Sequence, residues 1–372
     1  CITSYLSVQR PLFKRAESLG ILTINQTQNM SSTSHHHGGG SIPVMAITAI
    51  FILLGIFVPG GLGVVEPFLV LGLMLLLGLP HGATDHGLFQ ALNKSDGGKK
   101  INFYLAYFLV IAAYGLIWWL LPLVAFGIFM LLSVYHFGQS NWVNVDHGNG
   151  TFARLHYVLW GIGILLTPIL LYASEARAIV AAMTGISLGV APELTDVYNF
   201  VGITAGLNAI VICFLRWEKR ISTGKLVREF IAYGLLIALF FTNSLLLGFT
   251  VYFVFWHSLA SAKDQLQFFK KRLSPALRKQ LLGEISMTVL GALVFCLIVW
   301  FGPGPEIALR PSIIGGVFVF ISLLTLPHML LVEMLYTSWS PAEAKTKVTD
   351  TVHQKKSLIV NRRPQPAKES AG

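Results

Sequence analysis

The sequence predicts an all-α fold, a polytopic bundle of membrane-crossing helices, on three observations. Of its 372 residues, 54% are hydrophobic and only 12% are charged, whereas a soluble globular domain carries about 25% charged residues. Apolar runs close to the ~20 residues needed to cross a bilayer recur along the chain, without the strict alternation of barrel strands. When those runs are threaded alternately, lysine and arginine fall almost wholly on one side. The three cysteines, Cys1, Cys213 and Cys296, are scattered and suggest neither a disulfide framework nor a thiolate metal site. The formal charge of +10 reads as loop charge at a membrane, not as a nucleic-acid surface.

Residues 1–41 are polar and mixed and end in Ser34-His35-His36-His37-Gly38-Gly39-Gly40-Ser41. They read as a disordered extension, open to being non-native. The chain has no initiating methionine, Met30 could be a start, and residues 1–29 lack a signal peptide's apolar core and cleavage site. Glycine-rich flanks cannot preorganise the triple histidine into a metal site.

A single transmembrane domain, residues 42–338, follows. About ten spans are expected, with eight or nine as alternatives: 42–58, 64–80, 102–121, 123–142, 153–172, 197–215, 227–242, 245–262, 285–302 and 312–335. Breakers support the cuts, among them Pro59-Gly60-Gly61, Pro122, His147-Gly148-Asn149-Gly150 and Gly302-Pro303-Gly304-Pro305. Ala176–Ala191 is apolar but short and reads as a re-entrant or interfacial helix. Residues 339–372 read as a disordered cytoplasmic tail. With the N-terminus inside, 25 of the 27 lysines and arginines lie inside and only Arg177 and Arg310 outside. That count places both termini in the cytoplasm.

Four spans each carry one histidine where lipid should tolerate none: Pro80-His81-Gly82, Tyr135-His136-Phe137, Trp256-His257-Ser258 and Pro327-His328-Met329. Ionisable groups at membrane depth are costly and usually functional. All four spans are even-numbered, and each histidine sits roughly 12–17 residues in, about 18–25 Å from the outer edge of a ~30 Å core. The four can therefore meet at one depth. A lone membrane histidine is often an interhelical hydrogen-bonding group; four at one depth point to a metal site with neutral imidazole ligands, suited to iron, zinc or copper. Asp85, four residues after His81, is placed to accept from an imidazole and fix its tautomer, or else marks a helix end at the headgroups. Pro80 and Pro327 can bend their helices and turn a histidine inward, and Gly82 and Gly138 could admit a substrate or a neighbouring helix. His86, His147, His156 and His353 fall at loops or span ends and read as solvated or interfacial. Tyr135, Phe137, Trp256 and Tyr336 are candidates, with other aromatics, for the wall of an apolar tunnel.

The ordered set of segments Pro80-His81-Gly82-Ala83-Thr84-Asp85-His86, Tyr135-His136-Phe137-Gly138-Gln139-Ser140-Asn141-Trp142, Phe255-Trp256-His257-Ser258 and Leu326-Pro327-His328 resembles the Brp/Blh family, the bacteriorhodopsin-related-protein-like β-carotene 15,15'-dioxygenases of bacteria and archaea, over roughly residues 45–340. The resemblance implies a non-haem iron enzyme of the cell membrane. It would use Fe(2+) and O2 to split β-carotene into two retinals that serve a rhodopsin. His81, His136 and His257 match the family's iron-associated histidines. The better-known form of the family has another histidine four residues after the third; here that place is Ser261. Either His328 completes the site, or the site has three histidines or is defective.

Three rival classes fit the sequence less well. Membrane di-iron hydroxylases carry clustered histidine boxes, whereas these histidines are isolated. A bis-histidine haem protein would usually need sites at two depths. A transporter or carotenoid-binding protein would tend to show midplane charges and inverted repeats, of which the two Leu-Pro-His segments are only a faint echo.

Overall fold

Proline starts several of these helices, because its fixed φ suits the first turn and its missing N–H is not needed there. The computed structural model describes residues 41–58, 63, 65–93, 100–187, 189–301 and 310–339, all within one compact unit. The expectations for residues 1–40 and 340–372, including the triple histidine, His353 and the tail, lie outside the described residues.

Among the described residues every regular element is helical. In chain order they are α1 (Ile42–Phe57), α2 (Val65–Leu73), a π turn (Met74–Gly78), a 3-10 turn (Leu79–Thr84), α3 (Asp85–Asn93), α4 (Lys100–Leu120), α5 (Pro122–Trp142), α6 (Gly150–Leu171) and α7 (Ala173–Thr184). Then come α8 (Leu194–Trp217), α9 (Thr223–Thr242), α10 (Leu245–Val251), a second π segment (Tyr252–Ser258), α11 (Leu259–Arg272), α12 (Pro275–Phe301) and α13 (Pro311–Trp339). Side-chain caps replace missing backbone partners at three starts. Asn149 accepts from Thr151 N at α6, Ser222 from Lys225 N at α9, and Ser244 from Leu247 N at α10. Gly185, at φ 71°, ends α7 in the left-handed region that glycine reaches without strain.

Among the described residues, seven stretches are long and apolar enough to cross a membrane: Val65–Leu92, Phe103–Leu120, Pro122–Trp142, Gly150–Leu171, Leu194–Trp217, Leu245–Arg272 and Pro311–Thr337. The other three expected spans are also helices. Of these, α1 has only 16 residues and α9 opens on turns that carry Lys225, Arg228 and Glu229, whereas α12 is 27 residues long with Arg278, Lys279 and Glu284 confined to its first ten. Two stretches run beyond their expected ends, to Leu92 and Arg272, because π and 3-10 turns carry the helix through the polar segments. Large apolar side chains such as Trp119, Leu131 and Ile210 face outward, as suits helices surrounded by lipid.

Lipid is as apolar as the helix faces, so close packing and hydrogen bonding hold such a bundle together. α5 and α6 approach most intimately. A Cβ at Gly138 would overlap the Tyr157 carbonyl, and one at Gly161 the Val134 carbonyl. Around this contact the core buries Trp142, Trp160, Leu236, Leu239 and Phe240.

Candidate functional site

Interruptions of the helices build the site. Pro80 lacks an N–H and would clash with the carbonyl one turn back in a regular helix. The chain therefore passes through the π turn and the 3-10 turn before resuming as α3. His257 lies in the second π segment; such turns are uncommon and concentrate at functional positions. His328 follows Pro327 inside α13, and His136 lies in α5.

Three of the four histidines come together. The His136 ring lies 4.8 Å from that of His257 and 5.8 Å from that of His328, centroid to centroid, both edge-on. All three are buried, and all three line one cavity of about 670 Å³, within the ~300–1,000 Å³ usual for small-molecule sites. Its walls are otherwise mostly apolar, including Val70, Met74, Met130, Phe137, Phe249 and Phe318. His81 is carried by the 3-10 turn next to Gly82 and Ala83, which border the same cavity; its side chain lies outside the described residues. No atom stands within 4 Å of where a Gly82 Cβ would be, so this glycine leaves room in the cavity rather than admitting a helix.

Hydrogen bonds hold the imidazoles. Asp85 Oδ1 lies 2.6 Å from His328 Nδ1, and Tyr107, also on the cavity wall, donates to Asp85 Oδ2 at 2.8 Å. Asp85 thus serves the histidine of the last helix, 243 residues away in sequence. Ser140 Oγ lies 3.0 Å from His257 Nδ1. The neighbours of Ser140 tie α5 to other helices: Gln139 donates to Glu333 at 2.5 Å, and Asn141 donates to the buried Glu229 at 3.4 Å. Ser261 is buried and accepts from Gln265, which in turn accepts from Thr84. It makes part of a small polar contact between α11 and the 3-10 turn.

Among the described residues no three His, Cys, Asp or Glu side chains form a ready-made metal cage. What the geometry supplies is three neighbouring imidazoles, two with polar partners at Nδ1, on an apolar cavity.

The profile of the β-carotene 15,15'-dioxygenases matches residues 72–336, from just before His81 to just after His328. The chain belongs to the β-carotene 15,15'-dioxygenase family. It is 26% identical over 285 residues to the β-carotene 15,15'-dioxygenase of uncultured marine bacterium 66A03, covering 72% of this chain and 92% of that protein. To Blh of Halobacterium salinarum, described as a probable β-carotene 15,15'-dioxygenase, it is 24% identical over 286 residues, covering 70% and 81%. No solved structure gives a significant match.

In this β-carotene 15,15'-dioxygenase family member, the expected tunnel residues divide. Phe137 lines the cavity, 4.7 Å from the His257 ring. Tyr135, Trp256 and Tyr336 do not line it. Tyr135 packs edge-on against Tyr157, Trp256 donates to Thr48 at 2.8 Å, and Tyr336 is buried in a separate core cluster beside Phe268 and Val332. Phe249, Phe253 and Phe318 wall the cavity.

Three histidines read as solvated or interfacial are instead buried: His86, His147 and His156. His86 packs against Phe103 and Tyr104 and meets Gln90 and Glu284, because α4 and α12 close over α3. His147 and His156 share a hydrogen bond at 3.0 Å beside Trp142, because the loop after α5 folds back onto α6. Burial lowers the pKa of His147. Two participants escaped the sequence reading. Ser140 stands inside a motif already singled out by its histidine; nothing in the sequence marks Tyr107.

Proposed function

We propose that the chain cleaves β-carotene at its central 15,15' double bond with O2, giving two all-trans-retinals, at a non-haem Fe(II) held by His81, His136, His257 and His328. The observation that carries this reading is the convergence of three imidazoles on an otherwise apolar cavity. A polyene hydrocarbon offers nothing for a charged side chain to bind, so an apolar, phenylalanine-rich wall suits it.

The donor set fits the metal in kind. Neutral imidazoles suit iron, and metal-ligating histidines almost always engage their other ring nitrogen with a carboxylate, carbonyl or other polar partner. Asp85 beside His328 and Ser140 beside His257 supply such partners. Ser261 bonds Gln265 and offers no imidazole, and His328 is a further imidazole near His136 that would complete the set.

Bound iron would supply the activation of O2; the protein's share is binding, orientation and exclusion of water. Phe137 and Phe253 flank the His257 ring, at 4.7 and 5.8 Å, and hold the polyene against the imidazoles. One O2 serves each β-carotene, with one oxygen atom going to each carbon of the broken double bond, so both fragments leave as aldehydes.

The substrate enters from membrane lipid. The chain crosses the bacterial or archaeal plasma membrane about ten times with both termini cytoplasmic, and its product supplies a retinal-binding rhodopsin. Expression in β-carotene-producing cells tests the reading: the orange colour should fade and retinal should accumulate. Lasting colour in cells holding stable, iron-loaded protein would overturn it.

A further inference from the structure

We infer that Ser140 is a positioning residue that sets His257 in the tautomer carrying its proton on Nδ1, so that Nε2 is the atom His257 offers to a metal. The inference rests on the iron reading above and deepens it. Nothing in the spacing of the histidines requires a hydroxyl at position 140, and the assignment follows from proton bookkeeping around one oxygen.

Ser140 Oγ has two partners, each at 3.0 Å: the carbonyl oxygen of Phe137, one turn back on α5, and Nδ1 of His257 on the second π segment. A carbonyl oxygen only accepts, and a serine hydroxyl has one proton to give. Both contacts are hydrogen bonds at once only if Ser140 donates to Phe137 O and accepts from His257 Nδ1–H. In the neutral imidazole the lone pair then lies on Nε2.

His328 arrives at the same state by another route. Its Nδ1 lies 2.6 Å from Asp85 Oδ1, a carboxylate oxygen placed to accept from Nδ1–H. Tyr107 donates to the second oxygen, Asp85 Oδ2, at 2.8 Å, which orients the carboxylate. Two histidines from distant parts of the chain thus receive the same proton placement, one from a hydroxyl and one from a carboxylate. Their rings lie 4.8 and 5.8 Å from that of His136. In both, Nε2 is then the lone-pair nitrogen that a shared metal would take.

Geometry also gives Ser140 a second hold on the site. It follows His136 by four residues on α5 and therefore shares a helical face with it. One turn of α5 thus carries one candidate ligand and the group that orients another. The backbone of that turn is pressed against α6 at Gly138, where a Cβ would overlap the Tyr157 carbonyl.

Co(II) binding to the purified apoprotein in detergent micelles tests the inference. Affinity is read by chelator competition and ligand number from the visible d–d bands. Three variants separate the hydroxyl from bulk: Ser140→Ala, Ser140→Val and Ser140→Thr. Threonine keeps a hydroxyl that can bond the preceding turn, and valine has its shape without that group. Ser140→Ala and Ser140→Val should bind Co(II) about 10–100-fold more weakly than wild type, the range for lost outer partners of metal ligands. Ser140→Thr should bind within about threefold of wild type. Equal affinity in Ser140→Val and Ser140→Thr, with wild type binding normally, would overturn the tautomer assignment and leave the metal reading intact. Folded wild-type protein that binds neither Co(II) nor Fe(II) would overturn the metal reading, and this inference with it. If Ser140→Ala is recovered in too small an amount, the valine and threonine pair decides alone.

Discussion

At the scale of single residues, the choice between Ser261 and His328 bears most on the chemistry. Ser261 stands where the family resemblance leads one to expect a histidine, yet its hydroxyl serves Gln265, and His328 is, with His257, one of two imidazoles beside His136. Replacing His328 by alanine should therefore lower iron per protein about as far as His136→Ala does, by more than the ~10–100-fold typical of outer partners. Ser261→Ala should leave iron nearly unchanged. Metal analysis of the three purified variants decides; full iron in His328→Ala would reduce that residue to a wall of the cavity. The histidines were legible in the sequence because an ionisable group inside an apolar run stands out whatever the tertiary structure. The partner of Asp85 was not. Four-residue spacing directs attention to His81, but an acceptor bonds whichever donor the fold brings to it, and here that donor stands in the last helix. The same reasoning covers His86, His147 and His156, whose burial depends on loops and helices far away in sequence.

At the scale of elements, the apolar runs forecast the helices closely, because backbone groups in lipid have no alternative to internal pairing. What hydropathy does not encode is the winding. The π segment that carries His257 and the π and 3-10 turns around Pro80 change which side chains face the cavity without changing composition. The wall consequently recruits Phe249, Phe253 and Phe318, while Trp256, beside His257 in sequence, reaches Thr48 instead. The α5–α6 contact gives a sharp test. Gly138→Ala places a methyl group against the Tyr157 carbonyl and should destabilise the bundle by about 1–3 kcal/mol, the usual range for overpacking. Gly127, on the same helix, has open space at its Cβ position, so Gly127→Ala should be tolerated. Thermal unfolding of both variants in one detergent measures the difference; equal melting temperatures would mean that the close approach contributes nothing.

At the scale of the whole molecule, seven stretches among the described residues are long and apolar enough to cross a membrane, and α1, α9 and α12 match the remaining three expected spans in position. On the proposed ten crossings only Arg177 and Arg310 would fall outside, the one-sidedness that the positive-inside rule expects. Reporter fusions after residue 340 and within 303–309 should report opposite sides of the membrane. The same side for both would remove or add a crossing and separate the histidines in depth. Function at this scale reduces to whether the apolar cavity and its imidazoles cleave a hydrocarbon or merely hold it. The most direct measurement is retinal formed per β-carotene consumed, using purified protein loaded with Fe(II) in detergent under O2. The account predicts two retinals for each β-carotene lost, falling to background in His136→Ala; β-carotene that stays bound and intact on the iron-loaded protein would contradict it.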